Sequence, residues 1–321
     1  MSDSLQWRPS ASLAVLRRRA QALAITREFF HVRNVLEVET PALINAPVSD
    51  VNIGSLKVEM AGGAPLFLHT SPEYAMKRLL AAGSGDIDQI CHVFRGAERG
   101  RQHNPEFTMV EWYRLGFSLD QLMNEVAELA RLLLGRELPV EFVSYREALR
   151  RHAGLDPLDA EDAALQRAAQ ALGLDAQRAR EAGRDELLDL IVGAQVGPAL
   201  GAATLTFLHR YPASQAALAR LDQTDPRLAL RFELYHRGLE LANGYHELSN
   251  AAEQRMRFMA DQHRRAARGL ATTAIDQHLL AALEAGLPDC AGVALGFDRV
   301  LMLAANASSI DEVLAFPTER A

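Results

Sequence analysis

Residues 94–113 read Phe-Arg-Gly-Ala-Glu-Arg-Gly-Arg-Gln-His-Asn-Pro-Glu-Phe-Thr-Met-Val-Glu-Trp-Tyr. The stretch predicts a β-hairpin, because a polar loop separates two segments and the second alternates apolar with polar residues. Arg95 and Glu98 bracket the loop entrance, residues 103–106 form its tip, and Phe107 opens the return strand. Such a hairpin can hold a nucleotide, since an arginine pairs with phosphate and an aromatic ring stacks on a base. A surface hairpin with a solvated charged loop explains these residues equally well.

Two further segments decide between these readings. Residues 232–247 read Phe-Glu-Leu-Tyr-His-Arg-Gly-Leu-Glu-Leu-Ala-Asn-Gly-Tyr-His-Glu, and residues 292–299 read Gly-Val-Ala-Leu-Gly-Phe-Asp-Arg and run into an apolar helix. The three segments, in this order, resemble the catalytic core of a class II aminoacyl-tRNA synthetase of the lysine type. The resemblance begins near residue 12 and extends to the last residue, and it is weakest at about 150–200.

Composition sets the broad class of protein. The chain has 321 residues, of which 49% are hydrophobic and 23% charged, and its net charge is −7. This acidity argues against a broad nucleic-acid-binding surface. There is neither a run of about 18 apolar residues nor the apolar core of a signal peptide, so we expect no membrane association and a cytoplasmic location. Cys91 and Cys290 lie far apart and outside any CxxC pair, which argues against a zinc site or a disulfide framework.

The order of predicted elements favours an α+β fold. An antiparallel sheet would form the floor of the active site, flanked by helices, in a single domain over residues 1–321 with a helical insertion at about 150–200. Strands are predicted at 35–38, 66–69, 205–208, 228–235, 239–246 and 293–297. Helices are predicted at 10–34, 74–82, 251–285 and 298–305, and a series of helices at 118–200 with breaks around 154–157 and at Gly173. Arg237-Gly238 predicts a hairpin turn. A doubly wound fold and a P-loop are excluded, because GxGxxG and GxxxxGK[ST] are both absent.

The resemblance places three family motifs on the chain. Motif 1 covers about 13–42 and consists of a helix, a strand and the family's proline, matched here by Pro41. In the family this motif builds the dimer interface, which implies a homodimer. Motif 2 covers about 90–114 and motif 3 about 290–306. The blander interpretation of residues 10–34, a core-facing amphipathic helix, is compatible with this assignment.

The family activates an amino acid by joining its carboxylate to the α-phosphate of ATP. Both reactants are anionic, so arginines and Mg²⁺ suit the task. The resemblance implies that Arg95 and Arg299 are catalytic: Arg95 contacts the α-phosphate and the substrate carboxylate, and Arg299 covers adenine opposite Phe107 and reaches the γ-phosphate. Glu233 and Glu240 match the family's Mg²⁺ ligands. The implied ATP site comprises Arg95, Gly96, Ala97, Glu98, His103, Asn104, Phe107, Glu240, Leu241, Gly296 and Arg299. By itself, Arg299 would favour a structural salt bridge to a nearby acid, and it is the motif around it that indicates a nucleotide role.

The implied amino-acid pocket fits lysine. A substrate with two ammonium groups needs carboxylates at both ends. Glu73 matches the family residue near the backbone-side amine, and Asn243 matches a donor to the carboxylate. The implied pocket comprises Ser71, Pro72, Glu73, Glu111, Tyr113, Asn243, Glu247 and Ala294, with Glu111, Tyr113 and Glu247 near the side-chain amine. Simpler interpretations exist: Ser71 as a helix N-cap, Pro72 as the first helical residue, and the strand glutamates as solvent-facing charge.

Two departures separate the chain from a full lysyl-tRNA synthetase. It begins almost directly at motif 1, so an anticodon-binding domain is not expected and stable tRNA binding is not expected either. Ala294 stands where the synthetase pattern has a glycine, and a methyl group in a tight pocket changes selectivity by about 1–3 kcal/mol. With the lysine-type pocket, these features resemble the elongation factor P lysine ligases. That family forms the adenylate of (R)-β-lysine and transfers the lysyl group to the ε-amine of a lysine of elongation factor P.

Three alternatives remain at this stage. A truncated lysyl-tRNA synthetase would charge tRNA with α-lysine. A lysyl-adenylate-forming enzyme could use another acceptor. A regulatory module would bind lysine or nucleotide without turnover; it predicts loss of Arg95, Glu240 or Arg299, and all three are present.

Overall fold

The computed structural model describes residues 7–96 and 99–321. Predicted site residues Ala97 and Glu98 therefore lie outside the described residues. The strands and α-helices, in chain order, are α1 (Leu13–His31), β1 (Leu36–Glu37), β2 (Leu43–Ile44), β3 (Lys57–Val58), β4 (Leu66–Leu68), α2 (Glu73–Ala81), β5 (Ile87–Phe94), β6 (Glu106–Leu115), α3 (Leu119–Leu134), β7 (Val140–Ser144), α4 (Tyr145–Ala153), α5 (Asp162–Ala171), α6 (Ala176–Glu181), α7 (Arg184–Ile191), β8 (Leu205–Pro212), β9 (Leu228–His236), β10 (Leu239–His246), α8 (Ala251–Ala267), α9 (Gln277–Gly286), β11 (Cys290–Gly296) and α10 (Phe297–Ala305).

The chain divides into two compact units. The first comprises the described residues up to Phe117 together with Glu128–Arg136 and Ser249–Ala321, and the second comprises Ser118–Ala127 and Glu137–Leu248. Each unit combines a β-sheet with helices that precede or follow its strands, so the predicted α+β class is confirmed.

In the first unit β1, β5, β6 and β11 lie side by side in that order. The pairs β5/β6 and β6/β11 are antiparallel, whereas β1/β5 is parallel. A smaller antiparallel sheet has the order β2-β4-β3. The core of the first unit includes Phe30 of α1, whose ring centroid lies 5.2 Å from that of the fully buried Trp112 of β6. Burying each of these rings contributes about 2–3 kcal/mol, which anchors α1 on the sheet.

The second unit has the strand order β10-β9-β8-β7. The pairs β10/β9 and β9/β8 are antiparallel, and β7/β8 is parallel. The predicted turn between β9 and β10 is confirmed: Arg237 and Gly238 both have positive φ angles, 51° and 71°, as a type I′ hairpin requires. A β-carbon at Gly238 would also lie 2.8 Å from Pro198 O, so only glycine fits there.

Local sequence signals set several helix boundaries. Ser12 accepts a hydrogen bond from the backbone of Val15 (3.3 Å) at the start of α1, and Ser144 accepts one from Glu147 (3.1 Å) at the start of α4. Gly154 ends α4 with φ of 67°. The two serine side chains satisfy backbone N–H groups that a helix start leaves unpaired, and the glycine allows the left-handed conformation that ends a helix.

The structure corrects four predictions. Residues 118–200 are not all helical outside the predicted breaks, because β7 runs through 140–144 as an edge strand; five residues without strict alternation between two helices give only a weak local signal. Helices α8 and α9 are separate, with residues 268–276 between them. The sheet is not wholly antiparallel, as the parallel pairs show. Pro72 is the N-cap of α2 rather than its first helical residue, although Ser71 still accepts a hydrogen bond from Glu73 N (3.0 Å).

A buried carboxyl group stands at the parallel β1/β5 pair. Asp88 is 1% exposed, and neither carboxyl oxygen has a hydrogen-bond partner among the described residues. Burial, reinforced by the neighbouring Glu37 carboxylate and opposed by Arg27, raises the pKa of Asp88 to about 7. The side chain lines an open cavity between α1 and β1.

This pKa makes stability depend on pH. The folded pKa exceeds the unfolded value of about 3.9, so folding is favoured by the protonated form and stability falls as pH rises from about 4 to about 7. Between pH 5 and pH 8 the loss due to Asp88 is about 3 kcal/mol. We expect Asp88→Asn to lack this loss in urea unfolding measured at both pH values. Glu28→Gln, at an exposed carboxylate of the same cavity, is the control and should behave as the parent. An equal pH dependence in Asp88→Asn and parent contradicts the prediction.

Candidate active site

The predicted hairpin is formed by β5 and β6, and its alternation sorts the site residues by face. Val93 lies opposite Phe107 in the antiparallel register. Phe107, Glu111 and Tyr113 are spaced by even numbers along β6, so they share one face, whereas Trp112 points to the other face and enters the core. The predicted adenine-stacking ring and the predicted amine-binding carboxylate therefore lie on the same side of the same strand. The loop tip is shorter than predicted, because residue 106 already belongs to β6.

Strand β11 adds Ala294 to this face. Ala294 lies opposite Glu111, while Gly292 and Gly296 lie opposite Tyr113 and Met109. Residues directly opposite one another in an antiparallel pair have neighbouring side chains. The methyl group of Ala294 consequently projects beside Glu111 from a stretch whose neighbours on the same face, two glycines, have no side chain.

The hairpin loop begins with Arg95. Its backbone N–H donates to Pro105 O (2.8 Å), and its guanidinium lies 5.2 Å from the centroid of the Phe107 ring. Gly96 N donates to Gly54 O (2.8 Å), and a β-carbon at Gly96 would stand 2.8 Å from a methyl carbon of Leu56. The hydrogen bond to Gly54 orients the loop that carries Arg95, and a larger residue at Gly96 would require the Leu56 side chain to move.

Motif 3 contacts this loop through Arg299. Its Nη2 lies 2.6 Å from His103 Nε2, and the guanidinium has only donors, so His103 accepts at Nε2 and carries its proton on Nδ1. Asn104 is buried: its amide nitrogen donates to Glu106 O (2.6 Å), and its oxygen accepts two hydrogen bonds of 3.2 Å from Thr318. The structure thus gives Asn104 a part in shaping the loop and gives His103 a direct contact with Arg299.

Two positioning residues were not among the sequence predictions. Asp298, 1% exposed, accepts hydrogen bonds from the Arg19 guanidinium and from the backbone of Thr108 (2.6 Å). Arg19 also donates to Thr108 Oγ1 (2.6 Å). This cluster joins α1, β6 and the start of α10, and so positions the next residue, Arg299. Arg19 is one of many arginines in α1, and no sequence signal distinguishes it.

The amine-binding end of the predicted pocket is a chain of hydrogen bonds. Glu111 is 2% exposed; Tyr113 donates to its Oε1 (2.7 Å) and Ser71 donates to its Oε2 (2.9 Å). Ser71 in turn accepts from the backbone of Glu73 (3.0 Å). The Glu73 carboxylate pairs through Oε1 with Lys77 Nζ at 2.7 Å. The structure therefore brings together Ser71, Glu73, Glu111 and Tyr113, as the resemblance implied, and adds Lys77.

The remaining predicted residues lie in the second unit, on β9 and β10. Glu233 lies opposite Asn243, and Glu240 lies opposite Tyr235. The separation of Glu240 and Asn243 by three residues would place them on opposite faces of a regular strand. The register shifts at Leu241, however, and this bulge returns Glu240 to the face of Glu233 and Asn243. Glu247, just beyond β10, is 1% exposed and forms an isolated bridge with Ala219.

Arg231 orients the polar side chains on this face, and it was not among the site residues predicted from the sequence. Its Nη2 donates to Glu233 Oε1 (2.5 Å) and its Nε to Asn243 Oδ1 (3.2 Å), while Tyr235 donates to Glu233 Oε2 (2.7 Å). Burial acts to lower the pKa of Arg231, but the Glu233 carboxylate outweighs it and the pKa stands above its usual value. Burial, assisted by Glu233, raises the pKa of Tyr235. The signal available in the sequence was the Arg-x-Glu spacing, which places both side chains on one face of a strand.

The oxygen ligands on this face fit Mg²⁺ brought by a nucleotide. Carboxylates are hard ligands, and Mg²⁺ is commonly bound by one or two of them together with substrate phosphates. Glu233 and Glu240 meet that requirement. Within residues 7–96 and 99–321, no group of three or more histidine, cysteine, aspartate or glutamate side chains is arranged to hold a metal ion without such a substrate.

Comparisons with known proteins agree with these features. A family model described as tRNA synthetases class II (D, K and N) matches residues 2–320. An elongation factor P–(R)-β-lysine ligase of Klebsiella pneumoniae subsp. pneumoniae is 50% identical over 326 residues, which cover 100% of both chains. Proteins of the same name from Pectobacterium atrosepticum and Salmonella dublin are 49% identical over 326 residues, again with complete coverage of both chains. No helix among the described residues has the length and apolarity that crossing a membrane requires.

Proposed function

The chain belongs to the class II tRNA synthetase family and is a ligase of that family, and from this premise we propose that it activates (R)-β-lysine with ATP and transfers the lysyl group to a lysine of elongation factor P. The acceptor and the amino acid are those in the names of relatives about 50% identical over their full length. The observation that carries the proposal is the face of β6 and β11 that bears Phe107, Glu111, Tyr113 and Ala294 together. It offers a ring for a base and a buried carboxylate for an ammonium group.

In the proposed first step the lysine carboxylate attacks the α-phosphorus of ATP. A new C(O)–O–P bond forms, the bond to the β-phosphate breaks, and pyrophosphate leaves. Arg95 neutralises the negative charge that accumulates at the α-phosphate, and Arg299 binds the departing phosphates. Glu233 and Glu240 would hold Mg²⁺, which supplies further charge neutralisation at the phosphates. Glu73 and Glu111 fix the two ammonium groups, so that the substrate carboxylate is presented to ATP in one orientation.

In the proposed second step the ε-amine of the acceptor lysine attacks the carbonyl carbon of the adenylate. An amide bond forms, AMP leaves, and the amine loses a proton to solvent. The amine must be unprotonated to attack, and desolvation beside the adenylate lowers the pKa of a lysine amine. The described residues offer no side chain that the geometry singles out as a general base.

We also propose that the protein is a homodimer that associates through α1 and β1. This surface exposes large apolar side chains: Leu13 is 66% exposed, Val32 59% and Leu36 55%. Exposed large apolar side chains along α1 and at the segment after it favour association, because pairing removes them from water. Sedimentation equilibrium should give twice the chain mass. Val32→Glu together with Leu36→Glu should give the mass of one chain.

The direct test of the function is ATP–pyrophosphate exchange with α-lysine and (R)-β-lysine in parallel, followed by mass analysis of elongation factor P. The proposal requires faster exchange with β-lysine and a mass gain of one lysyl group on the acceptor. A preference for α-lysine with transfer to tRNA would establish a short lysyl-tRNA synthetase instead. Stable tRNA binding is not expected on our proposal.

Ala294→Gly tests the origin of the isomer preference. Removing the methyl group beside Glu111 should enlarge the floor of the pocket, so that ordinary lysine fits better and α-lysine activation rises relative to β-lysine. A methyl-sized change of about 1–3 kcal/mol corresponds to about 5- to 150-fold in the ratio of kcat/KM values. Ala291→Gly is the matched control, because Ala291 is buried on the opposite face of β11. Equal selectivity in Ala294→Gly and parent would rule out this role for Ala294.

A further inference from the structure

Lys77 is buried to an extent that is rare for lysine. Its side chain is only 1% exposed. The residue lies in the nine-residue helix α2, which begins at the predicted pocket residue Glu73. Lysine side chains are almost never fully buried unless they are paired, because removing an ammonium group from water is costly. The burial of Lys77 therefore calls for a carboxylate close by, and the structure provides one.

That carboxylate belongs to Glu73, one helical turn before Lys77. Lys77 Nζ lies 2.7 Å from Glu73 Oε1, in the i,i+4 arrangement in which helical side chains meet. The Glu73 side chain itself is 16% exposed, so the carboxylate has one side against the interior and keeps some open surface. An ion pair between a buried ammonium and a partly open carboxylate fixes the carboxylate and leaves part of it accessible to a second cation.

The backbone of Glu73 is fixed as well. Its N–H donates to Ser71 Oγ (3.0 Å), and Ser71 donates to Glu111 Oε2 (2.9 Å). Lys77, Glu73, Ser71 and Glu111 thus form one continuous chain of polar contacts. Because Lys77 anchors the side chain and Ser71 the backbone, Glu73 has little freedom to change its distance from Glu111.

We propose that Lys77 is a positioning residue that holds Glu73 in place for the substrate's backbone-side amine. The inference rests on the proposed function and adds to it a residue that does not itself touch the substrate. Without the ammonium group, the Glu73 carboxylate would lose its inner partner and turn towards water, because an unpaired carboxylate is better solvated there. The substrate amine would then meet a carboxylate that is displaced and no longer ordered.

The test compares Lys77→Met with the parent in ATP–pyrophosphate exchange. Methionine has a similar length and is compatible with burial, but it has no charge. We expect KM for the lysine substrate to rise at least tenfold, while KM for ATP changes less than twofold. Arg78→Met is the matched control: it removes a cation from the next position of α2, which is exposed, and should leave both constants unchanged.

A double-mutant cycle with Glu73→Gln separates positioning from a general structural role. If Lys77 acts through Glu73, adding Lys77→Met to Glu73→Gln should lower kcat/KM for lysine less than twofold further. The inference is overturned if the effects of the two substitutions on kcat/KM multiply in the double variant. It is also overturned if Lys77→Met changes KM for ATP and KM for lysine equally. If Lys77→Met does not fold, Lys77→Arg serves as the test, because it keeps the positive charge. The bulkier guanidinium should displace Glu73 and raise KM for lysine at least threefold. An unchanged KM for lysine in both Lys77→Arg and Lys77→Met overturns the inference about Lys77 and leaves the proposed function intact. A parent protein without lysine-dependent exchange overturns both the inference and the proposed function.

Discussion

Arg95→Ala is expected to reduce adenylate formation about 10³-fold while the protein remains folded. Removing one preorganised donor from a site of developing negative charge costs about 10²–10³ in rate, and a guanidinium that contacts both reactants should be at the upper end. Arg95 leads the hairpin loop, and its guanidinium lies 5.2 Å from the Phe107 ring. ATP–pyrophosphate exchange with (R)-β-lysine measures the loss directly.

The structural cost of this substitution should be small. The cation–π contact with Phe107 contributes about 0.5–1 kcal/mol to the free energy of unfolding, a loss small enough for the protein to remain folded. Arg101→Ala, which removes an exposed arginine from the same loop, is the control and should retain the parent's exchange rate. Exchange at the parent rate in Arg95→Ala means that the arginine has been misassigned.

Glu111→Gln should produce the second large loss, this time in the use of lysine. Both carboxylate oxygens accept hydrogen bonds from hydroxyl groups, those of Tyr113 and Ser71, and the side chain is 2% exposed. A glutamine places an amide donor against one of these hydroxyls and removes the charge that an ammonium group would meet. Truncating one partner of a buried, hydrogen-bonded charge pair costs about 2–5 kcal/mol, so kcat/KM for lysine should fall at least about 30-fold.

The selectivity of this loss makes it informative. Binding of ATP in the absence of lysine, measured by calorimetry, should stay within twofold of the parent, because Glu111 is assigned to the amine end of the pocket. Glu106→Gln is the matched control on the same strand: its carboxylate is half exposed, faces the other side and pairs with His92. A normal KM for lysine in Glu111→Gln would show that the substrate amine binds elsewhere.

The sequence predicted most of the hairpins and most of the strands because their signals are local. Alternation of apolar and polar residues marks β6, and Arg237-Gly238 marks a turn that needs two positive φ angles. The α+β class followed from the order of such elements. Strand β7 was not predicted, because its five residues between helices are too few and lack strict alternation. Its pairing with β8 joins segments about 65 residues apart.

The candidate site shows the same division. Phe107, Glu111 and Tyr113 could be placed on one face from their spacing alone. The position of Glu240 on the same face as Glu233 could not be predicted, because it depends on a bulge at Leu241 that only the strand pairing reveals. The partners that orient the site residues were not predicted at all: Arg19, Arg231 and Lys77 are ordinary cations in the sequence, and their importance comes from burial and from what they contact.

By itself, the sequence determined the family, the α+β class, the identity of the chemical groups and the face on which a regular strand such as β6 presents them, since periodicity and motif order are properties of the chain's local geometry. Only the tertiary structure decided which cations hold the acidic side chains and where the register of β10 shifts. Those features depend on contacts between residues distant in sequence, such as Arg19 with Asp298. Their energies come from desolvation and charge pairing, which no local pattern encodes.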